Sequence, residues 1–308
     1  MLSTDQARVV DPILTDHARG YTNAEFVGRV LFPQVDMPTR AAKRIQFDRA
    51  SFRRYRTMRA PGAPIGQISF GYEGKAVSLT QHALSAVTPV EHQDEAGAVP
   101  GIDIQRENVD LVLAVIATEK EIAQATTART AASYAASNKV ALAGADKFSD
   151  ETSNPLEVVS DFKETIRSRI GRRPNTLVLG GRVATILKRH PQLREHYKHT
   201  TSSTITDEML RSFFDVAQLA VGDAIYDQED GTTVDVWGND LVLAYVPPTG
   251  ARNMRLPSYG YTYQLRNHPF VEPPHYERGI RSWVNDVFDE YSAELVGADA
   301  GALIQNAI

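Results

Sequence analysis

Between Ile102 and Ala143 the chain runs without a single proline or glycine, and no other stretch constrains the fold as much. Asp103 stands as an N-cap just after Pro100 and Gly101, Ala and other strong helix formers fill the body, and Gly144 offers a stop. A helix over 103–143 spans roughly 45 to 60 Å, which is long for one globular domain. Leu111–Ala117 is apolar all round, so the pattern predicts protein on both sides of that segment. From Thr118 onward one side turns polar, through Glu119, Lys120, Glu121 and Gln124. The apolar run is far short of the roughly 20 residues needed to cross a bilayer. The expectation is a buried helix that serves as a spine, with sheets supplied by the rest of the chain.

The 308 residues suffice for one large domain or two of ordinary size. A net charge of -5 and a pI near 5.9 argue against general gripping of DNA or anionic membrane. The absence of cysteine excludes disulfides, thiolate metal sites and a cysteine nucleophile. The N-terminus has early acids and no apolar core, so it is not a secretory signal, and the expected site of synthesis and use is a cytoplasm. No repeat is visible.

Ahead of the helix, Leu31–Pro38 reads as an extended arm, because each proline pushes its predecessor out of the helical region. Next comes a basic stretch in which Arg40, Lys43, Arg44, Arg49, Arg53, Arg54, Arg56 and Arg59 stand against one acid, Asp48, with Phe47, Phe52 and Tyr55 interleaved. Bases mixed with aromatics suit a nucleic-acid surface, but a solvated face or a salt-bridging subunit contact is the favoured reading. Residues 60–66 are rich in Pro and Gly, and Ile68–Leu84 alternates loosely. Together 45–80 read as a two-stranded excursion with a flexible tip, marginal alone and needing another surface to lean on.

Behind the helix, Asn154-Pro155 caps a second, amphipathic helix to about Ile170. Thr176–Leu179 reads as a short strand, followed by Gly180-Gly181 and a helix through Lys188. That outline resembles a phosphate-binding turn but holds neither GxGxxG nor a Walker loop, so nucleotide binding is not favoured. His190, His196 and His199, with Glu195, suggest a metal cluster; Pro191 and the bases Arg189, Arg194 and Lys198 favour a solvated loop. Thr206 caps a short helix, and strands over 216–226 and 233–246 flank the turn Asp227–Gly231, which is too short for an EF-hand. Strands follow at Tyr259–Leu265, over Glu277–Leu295 and near the C-terminus. The expected class is α+β, with the chain ends forming one domain and a compact unit, 172–250, inserted.

This arrangement resembles the major capsid proteins of tailed bacteriophages, with the Hong-Kong-ninety-seven-type fold shared with encapsulins. Leu31–Met37 and Ile45–Asp48 resemble the arm entering that family's extended β-hairpin loop, and Met58–Pro64 its tip and return. The helix from 103 is similar to the spine helix, Pro174–Gly181 to the start of the axial domain, and Phe288–Tyr291 through Ile304 to the end of the peripheral domain. The resemblance implies an N-terminal arm at 1–44, the hairpin loop at 45–84, a peripheral domain at 85–171 with its spine helix near 103–143, an axial domain at 172–250, and a return to the peripheral domain over 251–308.

It also implies a structural protein of the virion, assembled in the host cytoplasm, that forms pentamers and hexamers closing an icosahedral shell around double-stranded DNA. Implied partners are further copies of the chain, a separate scaffolding protein and a portal, with room for a decoration protein. DNA would be enclosed without specific binding, and no membrane, metal, cofactor or catalytic residue is implied. The basic ribbon, with Arg49, Phe52, Arg53, Arg54, Tyr55, Arg56 and Arg59, would lie across a neighbouring subunit. There Glu107, Asp110, Asp286, Asp289 or Glu290 would receive it. An encapsulin-like compartment shell is the nearest alternative; a DNA-binding module or an enzyme is more distant.

Overall fold

The computed structural model describes residues 26–45, 74–97, 103–198, 205–228, 230–248 and 258–308, with Ala18 and Met58 as isolated positions. In chain order, a short helix α1 (Gly28–Leu31) leads into strand β1 (Gln34–Met37). Strands β2 (Ala41–Ile45), β3 (Gly74–Ser78) and β4 (Thr80–Pro89) come next, then helices α2 (Val90–Gly97) and α3 (Ile104–Arg129). Strand β5 (Lys139–Ala141), helix α4 (Pro155–Ile170), strand β6 (Thr176–Gly180) and helices α5 (Gly181–Arg189), α6 (Pro191–His196) and α7 (Asp207–Phe213) follow. The rest is β7 (Gln218–Gly222), β8 (Ile225–Asp227), β9 (Thr233–Asp235), β10 (Leu241–Ala244), β11 (Gly260–Leu265), β12 (Phe270–Val271), β13 (His275–Glu277), β14 (Ser282–Leu295) and β15 (Gly301–Gln305).

The spine helix is α3, and Asp103 caps it as expected, its side chain accepting from the Arg106 amide at 3.2 Å. It ends at Arg129, well before Ala143. Ala-rich sequence favours more helix, but tertiary partners take hold of its last turn. The Tyr134 hydroxyl donates to the Ala128 carbonyl at 2.6 Å, and Arg129 donates to Asp240 at 2.7 Å and to the Val236 carbonyl at 2.9 Å. The Tyr134 bond satisfies a carbonyl that a continuing helix would have used, and past Thr130, whose backbone is extended, the chain makes two short 3-10 turns, Ala131–Ser133 and Ala136–Asn138, before β5.

One sheet is organised on β14, which pairs with β4 from Ser282↔Pro89 to Tyr291↔Thr80 on one edge and with β11, β12 and β13 on the other; β1 adds to β11 in parallel. The other sheet has the order β5-β15-β10-β6-β7. Here the sequence reading is corrected: residues 301–305 do not close the first sheet. Ala302, Leu303 and Ile304 are fully buried between β10 and β5, a site only an apolar strand can fill. This sheet therefore takes strands 139–141 and 301–305 from outside 172–250.

The halves of α3 serve different cores. Val109, Val112, Leu113 and Ile116 pack with Ala86, Val271, Val287 and Tyr291 under the β14 sheet, whereas Ala125 and Ala128 join Leu31, Phe32, Trp237 and Leu241 in the larger core. Burying each aliphatic side chain there stabilises by about 1.5 to 3 kcal/mol. The Gly180-Gly181 pair is a packing device: a Cβ on Gly180 would lie 1.9 Å from the Gly238 carbonyl oxygen. A Gly180→Val substitution is expected to cost about 3 kcal/mol through this backbone clash. Urea unfolding of the unassembled subunit checks it, and unchanged stability would show that the β6–β10 corner has slack.

Candidate functional site

The pairing of β2 with β3, from Ala41↔Ser78 to Ile45↔Gly74, builds the stem of the expected hairpin. The chain thus leaves and returns at one place. Arg49, Phe52, Arg53, Arg54, Tyr55, Arg56 and Arg59 fall between β2 and β3 in the sequence and lie outside the described residues. At its foot Arg40 grips Glu290 of β14 with two hydrogen bonds, Nε at 2.7 Å and Nη2 at 2.8 Å. The forked geometry is the strongest arrangement of guanidinium and carboxylate, and the hydrogen bond to Glu290 raises the arginine's pKa.

The five acids expected to receive the ribbon do not form one patch. Asp289 and Glu290 are adjacent on β14, so their side chains point to opposite faces of the sheet. Both are buried and held within the chain. Asp289 accepts from Lys120 Nζ at 2.8 Å and Gln264 Nε2 at 2.6 Å, while Glu290 takes Arg40. Asp286 accepts from the Ser85 hydroxyl on the Glu290 face. Glu107 is exposed and Asp110 half-buried at the head of α3. Helix α2, which packs beside that head, adds exposed Glu91, Asp94 and Glu95, which the sequence reading did not single out.

A second finding corrects the expectation that Leu111–Ala117 is covered all round. Leu111 is 65% exposed and Val115 44%, and Leu84 on β4 is 43% exposed. Only the Val112, Leu113 and Ile116 side of that stretch meets the core.

The polar half of α3 likewise runs against the sequence reading, because Glu121 and Gln124 are buried. Glu121 Oε1 accepts from the Val27 amide at 3.0 Å, the Gly28 amide at 2.9 Å and Trp237 Nε1 at 2.7 Å. One carboxylate thus ties the N-terminal arm, the spine helix and the second sheet unit together. Gly28 is obligatory beside it, since a Cβ there would meet Gln124 Oε1 at 2.1 Å. Gln124 Nε2 donates to Thr262 Oγ1 at 2.8 Å, which extends the network to β11. Burial raises the Glu121 pKa, against the hydrogen bonds from Trp237 and the two amides that lower it.

The sites weighed for other chemistries are spent on the fold. His190 is buried and accepts from the Gln192 amide at 3.2 Å as the cap of α6, and His196 packs edge-on against Phe213. His199 lies outside the described residues. Among the described residues no group of three His, Cys, Asp or Glu is placed to hold a metal ion. At the start of α5, where a phosphate would have to sit, a Cβ on Gly181 would lie 2.1 Å from the Asp223 carboxylate, so that position already carries negative charge. No helix among the described residues is long and apolar enough to cross a membrane.

A long spine helix, a sheet built on one long strand, a separate two-stranded stem and a second sheet unit define the class of shell-forming capsid folds. At the level of fold alone, the chain is similar to the SrpI encapsulin of Synechococcus elongatus, with a TM-score of 0.51 at 11% identity over 97% of this chain and 96% of that one. Much nearer is the crystal structure of a phage-related protein from Bordetella bronchiseptica, 40% identical, with a TM-score of 0.84 and 98% of both chains covered. The family profile described as Phage major capsid protein E matches residues 131–268. The major capsid protein of Burkholderia phage BcepMu is 38% identical over 304 residues, 96% of both chains. This chain belongs to the phage major capsid protein family. Its role is that of a structural shell protein, and the encapsulin alternative is not favoured.

Replacing Glu121 by Leu should cost about 4 kcal/mol, because three buried N–H donors lose their acceptor, and Glu121→Gln about 1 to 2 kcal/mol. The pH dependence has a definite sign. Folding raises the Glu121 pKa above its ordinary 4.5, so its contribution is fully present below that value and is lost as pH rises through the folded pKa. Wild type should therefore lose stability relative to Glu121→Gln as pH rises above 4.5 in urea unfolding of the subunit. A constant difference would mean that the carboxyl does not titrate there.

Proposed function

We propose that this protein builds the head shell of a tailed phage. Its copies assemble as pentamers and hexamers into a closed icosahedral shell around double-stranded DNA, in the host cytoplasm, with a separate scaffolding protein and a portal as partners. Whole-length similarity to a major capsid protein carries this reading, and the two-stranded stem supports it. A two-stranded ribbon is marginal alone, and a subunit that clamps its foot through Arg40 and Glu290 holds it out for something else to bind.

That something is a neighbouring copy. The segment between β2 and β3, with Arg49, Phe52, Arg53, Arg54, Tyr55, Arg56 and Arg59, lies across the exposed acids at the head of the spine helix: Glu107, with Glu91, Asp94 and Glu95 beside it. Opposite charge selects the partner surface and sets register more than it adds affinity. Asp289 and Glu290 hold the fold instead, because their oxygens are taken up inside the subunit.

The test replaces residues 51–70 by a short Gly-Ser linker and keeps the β2–β3 stem. Circular dichroism and thermal unfolding of the subunit should be unchanged, while electron microscopy of protein produced with its neighbouring head genes should show no closed shells. Shells of normal size from this variant would remove the ribbon as the strap between copies. A wild-type protein that stayed monomeric with those partners supplied would remove the shell reading itself.

A further inference from the structure

Strand β4 is the outer strand of the β14 sheet, and among the described residues no strand pairs with its far edge. Its sequence, TQHALSAVTP, has no Lys, Arg, Asp or Glu, and its only proline stands at the end. Proteins that remain apart protect such an edge with charge, proline or a bulge. Most of β4 is exposed, including Leu84. Beside this edge runs the second anomaly, the exposed Leu111 and Val115 on α3. The hydrogen bond from Asn108 Nδ2 to Thr88 Oγ1, at 2.8 Å, places the 108–111–115 flank of the helix on the β4 side. The Lys120–Asp289 pair holds the next turns over β14.

We infer that β4 joins edge to edge with β4 of a second copy across a two-fold axis perpendicular to the sheet, and that the two α3 helices pack against each other through Leu111 and Val115. A partner of the same kind fits for two physical reasons. First, the spacing works. Helix α3 covers both β4 and β14, so its axis stands over the seam between them. With strands about 4.8 Å apart, that seam is about 5 Å from a two-fold on the open edge. The two helix axes then lie about 10 Å apart, at the upper end of ordinary helix packing. Second, a strand without charge meets its own copy without like-charge repulsion.

The contact is small. A strand some 33 Å long, two layers deep, buries about 500 Å² per copy, less than the roughly 800 Å² of a standard interface. It is suited to a joint that holds by repetition in a closed shell. The inference rests on the shell reading only for where the joint is used, since the pairing is a property of the subunit surface.

Symmetry makes the test sharp. A two-fold perpendicular to the sheet keeps each residue on its own face, so one residue of β4 must face its own copy. Their Cα atoms would be about 4.5 to 5.5 Å apart, within disulfide range. The chain has no cysteine of its own. Gln81, His82, Ala83, Leu84, Ser85, Ala86 and Val87 are each changed singly to Cys in the full-length protein, assembled with its head partners, and oxidised under native conditions. One position should give a dimer on a non-reducing gel, and its immediate neighbours should not. In parallel, the doubly substituted Leu111→Glu, Val115→Glu protein should fold as wild type but yield about tenfold fewer shells, since a charged ridge cannot pack on its copy. Absence of a dimer at all seven positions overturns the inference, as does crosslinking only to a different protein or normal assembly by the doubly charged variant. If wild type makes no shells, the function fails on its own, and crosslinking of the concentrated subunit still decides the strand pairing.

Discussion

A single buried carboxylate sets how the parts of this subunit stand to one another. Glu121 lies midway along the spine helix, and its donors come from chain positions far apart: Val27 and Gly28 near the start, Trp237 in the second sheet unit. Each donor would be costly to bury alone, and the carboxylate would be costlier still. The three segments therefore dock together or not at all. Gly28, with no room for a Cβ, and Gln124, bonded to Thr262, show how tightly that junction is drawn. The two apolar cores on either side share no buried residue, so the helix and its polar junction carry the connection between them.

Much of this was legible in the sequence. The Asp103 cap, the Asn154-Pro155 start of α4, the strand–glycine–helix order at 176–189 and the long strand at the end all follow from local rules of capping, periodicity and turn chemistry. Glu121 was not, because a charged residue directly after Glu119 and Lys120 reads as solvated surface. A signal existed: Leu113, Ala117, Glu121, Gln124 and Ala128 continue one stripe at helical spacing, so the two polar residues occupy positions that should be buried. The helix end was illegible for a related reason. Ala-rich sequence past Thr130 favours helix locally, and what stops it, Tyr134 on Ala128 and Arg129 on Asp240, is tertiary. The destination of β15 was likewise hidden, since a short apolar strand suits either sheet and only the partners decide.

Composition pointed to a subunit surface, and the structure explains how charge is divided there. Asp289 and Glu290, the two most buried acids of β14, stand on opposite faces of the sheet and are neutralised within the chain by Lys120 and Arg40. Removing either partner would strand a buried charge, which makes these pairs part of the fold rather than of any interface. Glu107 at the head of α3 and Asp94 and Glu95 on α2 are exposed and screened by salt, so they contribute little to stability. They remain available to discriminate one neighbouring surface from another.

That separation has a physical consequence for a protein that must both fold and assemble. If contacts between copies drew on Asp289, Glu290 or Glu121, weakening a contact to let a shell rearrange would also weaken the subunit. Here the groups that hold the subunit are largely inside it, whereas the exposed acids, the exposed Leu84 of β4 and the Leu111–Val115 ridge take no part in either core. Association can then be tuned by small changes in exposed residues at almost no cost to folding. A closed shell needs that latitude: each joint must be weak enough to correct errors during growth, and the many joints of the finished particle hold together what one cannot.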